Sequence, residues 1–421
     1  MKWIQNYNAL NSTPSRYKIL SIAEAALEAI NTDSIVRSRL KYENGSLIVD
    51  GKKYNLSSYK NIKLLGFGKA SSKAVKAIED ILGDRISGGI AIDTHPEASQ
   101  IVRVEQGDHP LPSEKNVIAS NSLVKLAKES TEEDLVLVVV SGGGSALLCW
   151  PFLECRQGVN LYKDSERVGM NILEMNIVRK HMSQVKGGGL AAILHPATVI
   201  GLIFCDVPGG AFEEVASGPT YYDFSTVADA QKILDSYGLT GYVLNETLKN
   251  KSIFDKVHNV KMISNATALK AMSEVAESFG FKVKILGDAV YDPPKKLIER
   301  LITLAKPGTV ILAGGETRFK ITKNGGTGGR CQMLALEALK YLKPGHVLLS
   351  LASDGIDNSD AAGVIADKRT IDKSRELNLN LESYLENFRA YEVFEATGDL
   401  IFTGPTGANV SDLYILLNEH E

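Results

Sequence analysis

The sequence predicts an α/β protein of two domains, with a mainly parallel sheet covered by helices on both faces. The first observation is the run Leu135-Val-Leu-Val-Val-Val140, six apolar residues that stop at Ser141-Gly142-Gly143-Gly144-Ser145. A continuous apolar run bounded by a turn signal reads as a strand buried on both faces. The second is that such runs alternate with stretches of helical spacing along the whole chain, the pattern of βαβ units. The third is length: 421 residues exceed what one hydrophobic core usually serves.

Taken in order, Tyr17 to Ile30 places Ile19, Ile22, Ala25, Ala26 and Ile30 at helical spacing. Val49 and Tyr54 flank Asp50-Gly51, a hairpin turn. A strand from Ile62 runs into Gly66-Phe67-Gly68-Lys69, and a helix follows from Ser71 or Ser72 to Ile81. Strands are expected at 89–92, 101–104 and 199–204, with a helix opening near Ser113 and running towards Glu129. Asn160 to Gln184 has helical spacing and ends at Lys186-Gly187-Gly188-Gly189. The composition turns polar near 235–255, which divides the chain into domains 1–240 and 241–421. Beyond it, strands at 260–263, 283–286, 309–312 and 346–351 alternate with helices at 268–279, from Pro294 and from Arg330. The loop before that last helix is Asn324-Gly-Gly-Thr-Gly-Gly329.

A net charge of −3 with 23% charged residues gives no basic stripe for nucleic acid. No apolar run approaches the roughly 18–20 residues needed to span a bilayer. The start Met1-Lys-Trp-Ile-Gln-Asn has no apolar signal core, so a cytoplasmic location is expected. Four cysteines show neither a C-x-x-C pair nor metal-ligand spacing with histidine, which argues against a zinc enzyme.

Several signatures of known chemistry are missing. There is no P-loop and no protein-kinase motif set. Gly143-Gly-Ser145-Ala-Leu147 lacks the last glycine of an esterase elbow. Gly66-Phe-Gly68-Lys-Ala-Ser71 misses the dinucleotide fingerprint by one glycine, although Asp93 stands where a ribose-binding acid would. That keeps an NAD-dependent hydroxy-acid oxidoreductase as an alternative, beside a non-catalytic binding protein on the same scaffold.

What recurs is a glycine turn at a strand end beside a charge. Lys69 follows Gly68, Lys186 precedes Gly187, and Arg330 follows Gly329; Asp206, Glu316, Asp354 and Asp357 also follow strands. Each has a plainer reading: Lys69 could cover a helix start, Arg330 pair with a surface acid, and Asp354-Gly form a turn. Their convergence points instead to phosphoryl transfer, where amides and cations neutralise phosphate and carboxylates hold Mg²⁺ or orient a hydroxyl.

Nine motifs, in order over nearly the whole chain, resemble the glycerate 2-kinase family. They are Gly66-Phe-Gly-Lys-Ala70; Val140-Ser-Gly-Gly-Gly-Ser-Ala-Leu147; Asn176-Ile-Val-Arg-Lys-His181 with Lys186-Gly-Gly-Gly-Leu-Ala191; Asp206-Val-Pro-Gly209; Ala216-Ser-Gly-Pro-Thr220; Gly314-Gly-Glu-Thr317; Gly328-Gly-Arg-Cys-Gln332; Ser353-Asp-Gly-Ile-Asp357; and Gly404-Pro-Thr-Gly-Ala-Asn409. The resemblance implies a Rossmann-like αβα first domain and a second α/β domain of the MOFRL type, with the active site in the cleft. It implies ATP- and Mg²⁺-dependent phosphorylation of D-glycerate at the 2-hydroxyl, with the 3-hydroxyl or a related hydroxy acid as alternatives. The family's active-site lysine and arginine fall on Lys69 and Arg330. Where the family often reads Gly-Gly-Arg-Asn-Gln-Glu, this chain has Gly328-Gly-Arg-Cys-Gln-Met333, and Pro208 to Val215 lacks an acid directly after its proline–glycine pair. Both departures bear on fine substrate preference.

The expected site follows. Ser141, Gly142, Gly143, Gly144 and Ser145, with Lys186, Gly187 and Gly188, would hold nucleotide phosphates. Lys69 and Arg330 would hold the glycerate carboxylate and the moving phosphoryl group, a task that suits the arginine fork. Asp206 and Asp354 would act on Mg²⁺ or on the hydroxyl proton, with Asp357 a further metal ligand. D-glycerate and ATP are the expected partners, self-association is left open, and neither nucleic acid nor membrane is expected.

Overall fold

The computed structural model describes residues 2–321 and 325–419; Asn324, the first residue of the predicted glycine loop, lies outside the described residues. The chain forms two compact units that do not follow chain order. One comprises Thr32–Val207 and Ala211–Met262; the other takes the segment up to Asn31, Pro208–Gly210 and everything from Ile263 onward.

The first unit begins with a small antiparallel sheet of β1 (Leu40–Glu43), β2 (Ser46–Val49) and β3 (Lys52–Asn55). Asp50 and Gly51 both have positive φ, +49° and +75°, which gives the turn the twist a two-residue hairpin needs. The main sheet has β4 (Asn61–Phe67), β5 (Gly88–Asp93), β6 (Val102–Gln106), β7 (Asp134–Val140), β8 (Thr198–Phe204) and β9 (Val257–Ile263). Their order is β6-β5-β4-β7-β8-β9, and the pairings from β6 through β8 are parallel. This is the doubly wound order, whose direction of winding reverses between β4 and β7. Phe67 pairs with Val140, so the two strands end at one level. All seven residues of β7 are buried, as an unbroken apolar run requires.

The expected single helix over 160–184 is two helices, Phe152–Val168 and Ile172–Met182. Gly169 closes the first at φ +73°, and Asn171 with Glu174 forms a capping box that opens the second. A glycine embedded in a periodic run was the signal for the break. Cys149 and Cys155, which belong to no recognised pairing motif, form a disulfide.

The second unit has a six-stranded mixed sheet: β10 (Lys282–Val290), β11 (Thr309–Gly315), β12 (His346–Ala352), β13 (Gly363–Asp367), β14 (Leu400–Ile401) and β15 (Asp412–Asn418). The order is β10-β11-β15-β12-β13-β14; β10 and β11 are parallel, and every other neighbouring pair is antiparallel. The last strand is thus central, paired on both sides and wholly buried. The N-terminal helix Pro14–Ala29 belongs here. Thr13 caps it, accepting from the Arg16 N–H, and Pro14 occupies its first position. Arg16 is 4% exposed and binds Asp367 (Nε to Oδ2, 2.7 Å) and Asp399 (Nη1 to Oδ1, 2.8 Å). Among the described residues no helix is long and apolar enough to cross a membrane.

Candidate functional site

In the parallel-sheet unit the loops after β4 and β7 are tied together at the point where the winding reverses. The Ser141 N–H donates to the Phe67 carbonyl (3.1 Å), the Lys69 N–H to the Gly142 carbonyl (2.9 Å), and the Ala70 N–H to Ser141 Oγ (3.2 Å). Two glycines are required by this contact. Gly68 sits at φ +118°, and a Cβ there would lie 2.1 Å from Ser141 Oγ. A Cβ on Gly142 would lie 2.1 Å from Asp206 Oδ2, so the carboxylate expected to act on Mg²⁺ rests directly against the loop.

The N–H groups of Gly142, Gly143 and Ser145 face no protein acceptor among the described residues. Lys69 is partly exposed, with its Cγ beside Gly143, and has no carboxylate within 4 Å among the described residues. Next to it, the His109 imidazole is pushed down to about 4, first by burial and then by the charges of Lys69 and Arg179. It is neutral at pH 7. Open amides and an unpaired ammonium at a strand-end turn can receive an oxyanion.

The other predicted phosphate-binding residues are engaged elsewhere in this unit. Ser145 Oγ lies 3.0 Å from Ser217 Oγ, which donates to Asn176 Oδ1 at 3.2 Å. Lys186 is 2% exposed; its ammonium pairs with Glu154 and donates to the Leu148 carbonyl at 2.9 Å. Burial raises the Glu154 carboxyl above its ordinary range and lowers the Lys186 ammonium. The Gly187 and Gly188 N–H groups donate to the carbonyls of Ser217 (2.9 Å) and Gly218 (2.8 Å). The sequence spacing gave no hint of Glu154, because the partner comes from another helix.

Asp93, the acid on which the oxidoreductase alternative leaned, is turned inward. It is 1% exposed and accepts from the Ser72 N–H (2.9 Å), the Ser72 hydroxyl (2.8 Å) and the His95 N–H (3.2 Å). Its carboxylate fixes the start of the helix Ser71–Leu82 and has no free edge for a ribose.

In the mixed-sheet unit, Arg330 opens the helix Arg330–Ala338 and reaches two acids at strand ends. Its Nε donates to Asp412 Oδ2 at 3.0 Å, and its Nη1 lies 3.2 Å from Glu316 Oε2. Asp412 is 2% exposed and also accepts from the Tyr414 hydroxyl at 3.1 Å. Burial pushes its carboxyl up to about 7; Arg330 opposes this, while Asp357 and Glu316 add to it. Asp357 accepts the N–H groups of Cys331 (3.2 Å) and Gln332 (2.8 Å), so it caps the helix that carries Arg330, and burial pushes it up to about 6. Asp354 accepts the Ile356 N–H at 3.1 Å, the turn its Asp-Gly sequence suggests.

Glu316, Arg330, Asp354, Asp357, Asn409 and Asp412 line one cavity of about 230 Å³. Asp412 was not among the expected site residues; its signal was an acid heading the apolar run Leu413–Leu417. Cys331 and Met333, the departures from the family pattern, are buried in the unit's hydrophobic core. Among the described residues no group of three or more His, Cys, Asp or Glu side chains is placed to hold a metal ion.

Together these features define an α/β protein with a glycine loop of open amides at a doubly wound switch point and a carboxylate-held arginine in its second unit. A family model described as a domain of unknown function (DUF4147) matches residues 18–250, and the MOFRL family model matches residues 309–412. A glycerate 2-kinase of Pyrococcus horikoshii is 32% identical over 435 residues, spanning 94% of this chain and 96% of that protein. The crystal structure of a glycerate kinase from Thermotoga maritima has a TM-score of 0.81 at 29% identity, covering 96% of this chain and 100% of that one. A protein of Agrobacterium vitis named as a putative hydroxypyruvate reductase is 32% identical over 380 residues, 84% of this chain and 98% of that protein. The chain belongs to the glycerate 2-kinase family.

Proposed function

We propose that this protein transfers the γ-phosphoryl group of ATP to the 2-hydroxyl of D-glycerate, giving 2-phosphoglycerate and ADP. The observation that supports it most is the pair of bonded loops after β4 and β7, with open amides at Gly142, Gly143 and Ser145 beside Lys69. Phosphoryl transfer is catalysed chiefly by positioning and charge, and this arrangement supplies both without reorganisation. Backbone amides of the 142–145 loop take phosphate oxygens, and the buried Lys186–Glu154 pair with the 186–188 turn holds the neighbouring segment in place. Lys69 and Arg330 each hold an anionic group of the substrates. Asp206 or Asp354, each at a strand end, would hold Mg²⁺ or accept the hydroxyl proton. Mg²⁺ ordinarily keeps several waters and takes only one or two protein carboxylates. When bound, the ion would neutralise phosphate charge. Asp357, with both oxygens committed to the helix start, serves by fixing Arg330.

The test is direct. After incubation with ATP, Mg²⁺ and D-glycerate, 2- and 3-phosphoglycerate are separated and counted. 2-Phosphoglycerate is expected; 3-phosphoglycerate would move the acceptor, and no phosphorylated product would overturn the proposal.

A further inference from the structure

The helix Ile172–Met182 carries a side chain that neither the fold nor the proposed reaction uses. Residues three and four apart share a helix face, which groups Asn176, Arg179 and Lys180. Two of the three are committed. Asn176 Nδ2 donates to Glu214 Oε2 at 3.0 Å, and Lys180 Nζ donates to Glu214 Oε1 at 2.9 Å. Among the described residues Arg179 has no such partner: its one hydrogen bond there is a long contact of 3.5 Å from Nη1 to Asn176 Oδ1. Among the described residues no carboxylate lies within 4 Å of it. Glu154, which does act on it through space, is already bound to Lys186.

A guanidinium withdrawn from water normally has a carboxylate or a ring of acceptors against it. Arg179 is half-buried, and burial pushes it down to about 10, with Glu154 and Tyr162 acting in the opposite sense. The side chain lines a cavity of about 20 Å³ together with Ser145, Tyr162, Glu154 and Lys186. That is room for about one water-sized atom, the size of a single ligand oxygen. The tie to the glycine loop is Ser145, which lines the same cavity; the charges of Arg179 and Lys69 also both lower the His109 imidazole, which lies against Gly143.

We propose that Arg179 is an oxyanion-binding residue of the site around the 142–145 loop, taking an oxygen of a substrate phosphate or carboxylate beside Ser145. This rests on the kinase reading for the identity of the substrates, but not for the presence of the oxyanion site. The geometry leaves two sources for that oxygen, the phosphate chain of ATP and the carboxylate of D-glycerate.

The full-length protein and its Arg179→Gln and Arg179→Lys variants are compared in two measurements. Steady-state kinetics give KM for ATP and for D-glycerate separately. Calorimetric titration gives Kd for ADP with Mg²⁺ and for D-glycerate, without requiring turnover. Loss of one charge-assisted hydrogen bond corresponds to about ten- to hundredfold weaker binding. Arg179→Gln is expected to weaken one ligand by that factor and leave the other within about threefold. The ligand affected names the source, and Arg179→Lys should recover part of the loss. Unchanged affinity for both ligands in Arg179→Gln, or binding of neither to the wild type, overturns the oxyanion role. Equal weakening of both ligands with a matching fall in melting temperature overturns it too, in favour of a structural part. Wild-type binding without phosphorylated product would sink the kinase reading alone.

Discussion

Asp412 should make the stability of the mixed-sheet unit fall as pH rises. Its carboxyl is raised from 3.8 to about 7, mainly by burial, even though Arg330 lies against it. The direction of the effect follows from linkage. A raised acid contributes stability that is complete below its unfolded value near 3.8 and is lost as pH climbs through about 7. At about 1.4 kcal/mol per pH unit, the loss between pH 5 and pH 8 is roughly 3 kcal/mol. Asparagine copies the neutral form, so Asp412→Asn removes the titration while keeping the shape. The variant should therefore gain about 3 kcal/mol relative to the wild type over the same interval. Urea unfolding followed at Trp3, which lies in this unit, in a Trp150→Phe background would report it. A stability difference between the two proteins that stays constant within about 0.5 kcal/mol from pH 5 to pH 8 would refute the reasoning. It would mean that Arg330 keeps Asp412 ionised throughout.

Three further outcomes are expected. Lys69→Ala and Arg330→Lys should each fold normally yet lose at least about 10²-fold in kcat/KM, because a preorganised charge contact is removed and an ammonium cannot span Asp412 and Glu316 together; near-normal phosphorylation in both would discard them as site residues. Glu154→Gln should cost about 3–5 kcal/mol in urea unfolding, since Lys186 would be left buried and unpaired, and pairing it with Lys186→Met should restore most of the loss. Gly142→Ala, whose Cβ would meet the Asp206 carboxylate at 2.1 Å, should lower kcat/KM at least about tenfold with little change in melting temperature; full activity would show that the loop does not set the position of Asp206.

The parts of the site that could be read from the chain are those encoded within a few residues. Gly68 and Gly142 mark close backbone approach because a side chain there has no room, and that requirement is visible as glycine at a strand end. The partners of the charges were not visible. Lys186 and Asp93 look like ligand-binding groups by position, yet one is spent on Glu154 and the other on Ser72. Their partners lie 32 and 21 residues away, on other elements. Arg330 was legible as a cation at a helix start, but Asp412, 82 residues further on, was not legible as its holder.

Local pattern, then, was enough for the buried strands of the first unit such as Asp134–Val140 and Thr198–Phe204, because continuous apolar runs and glycine stops act over one strand, but it did not separate the helices Phe152–Val168 and Ile172–Met182. Tertiary structure alone decided that Asp412–Asn418 runs antiparallel between β11 and β12, and that Arg16 joins the second unit through Asp367 and Asp399. An apolar strand is equally content beside any neighbour that buries it and completes its hydrogen bonds. Which neighbour it takes, and which acid meets which base, is fixed only when the whole chain has packed.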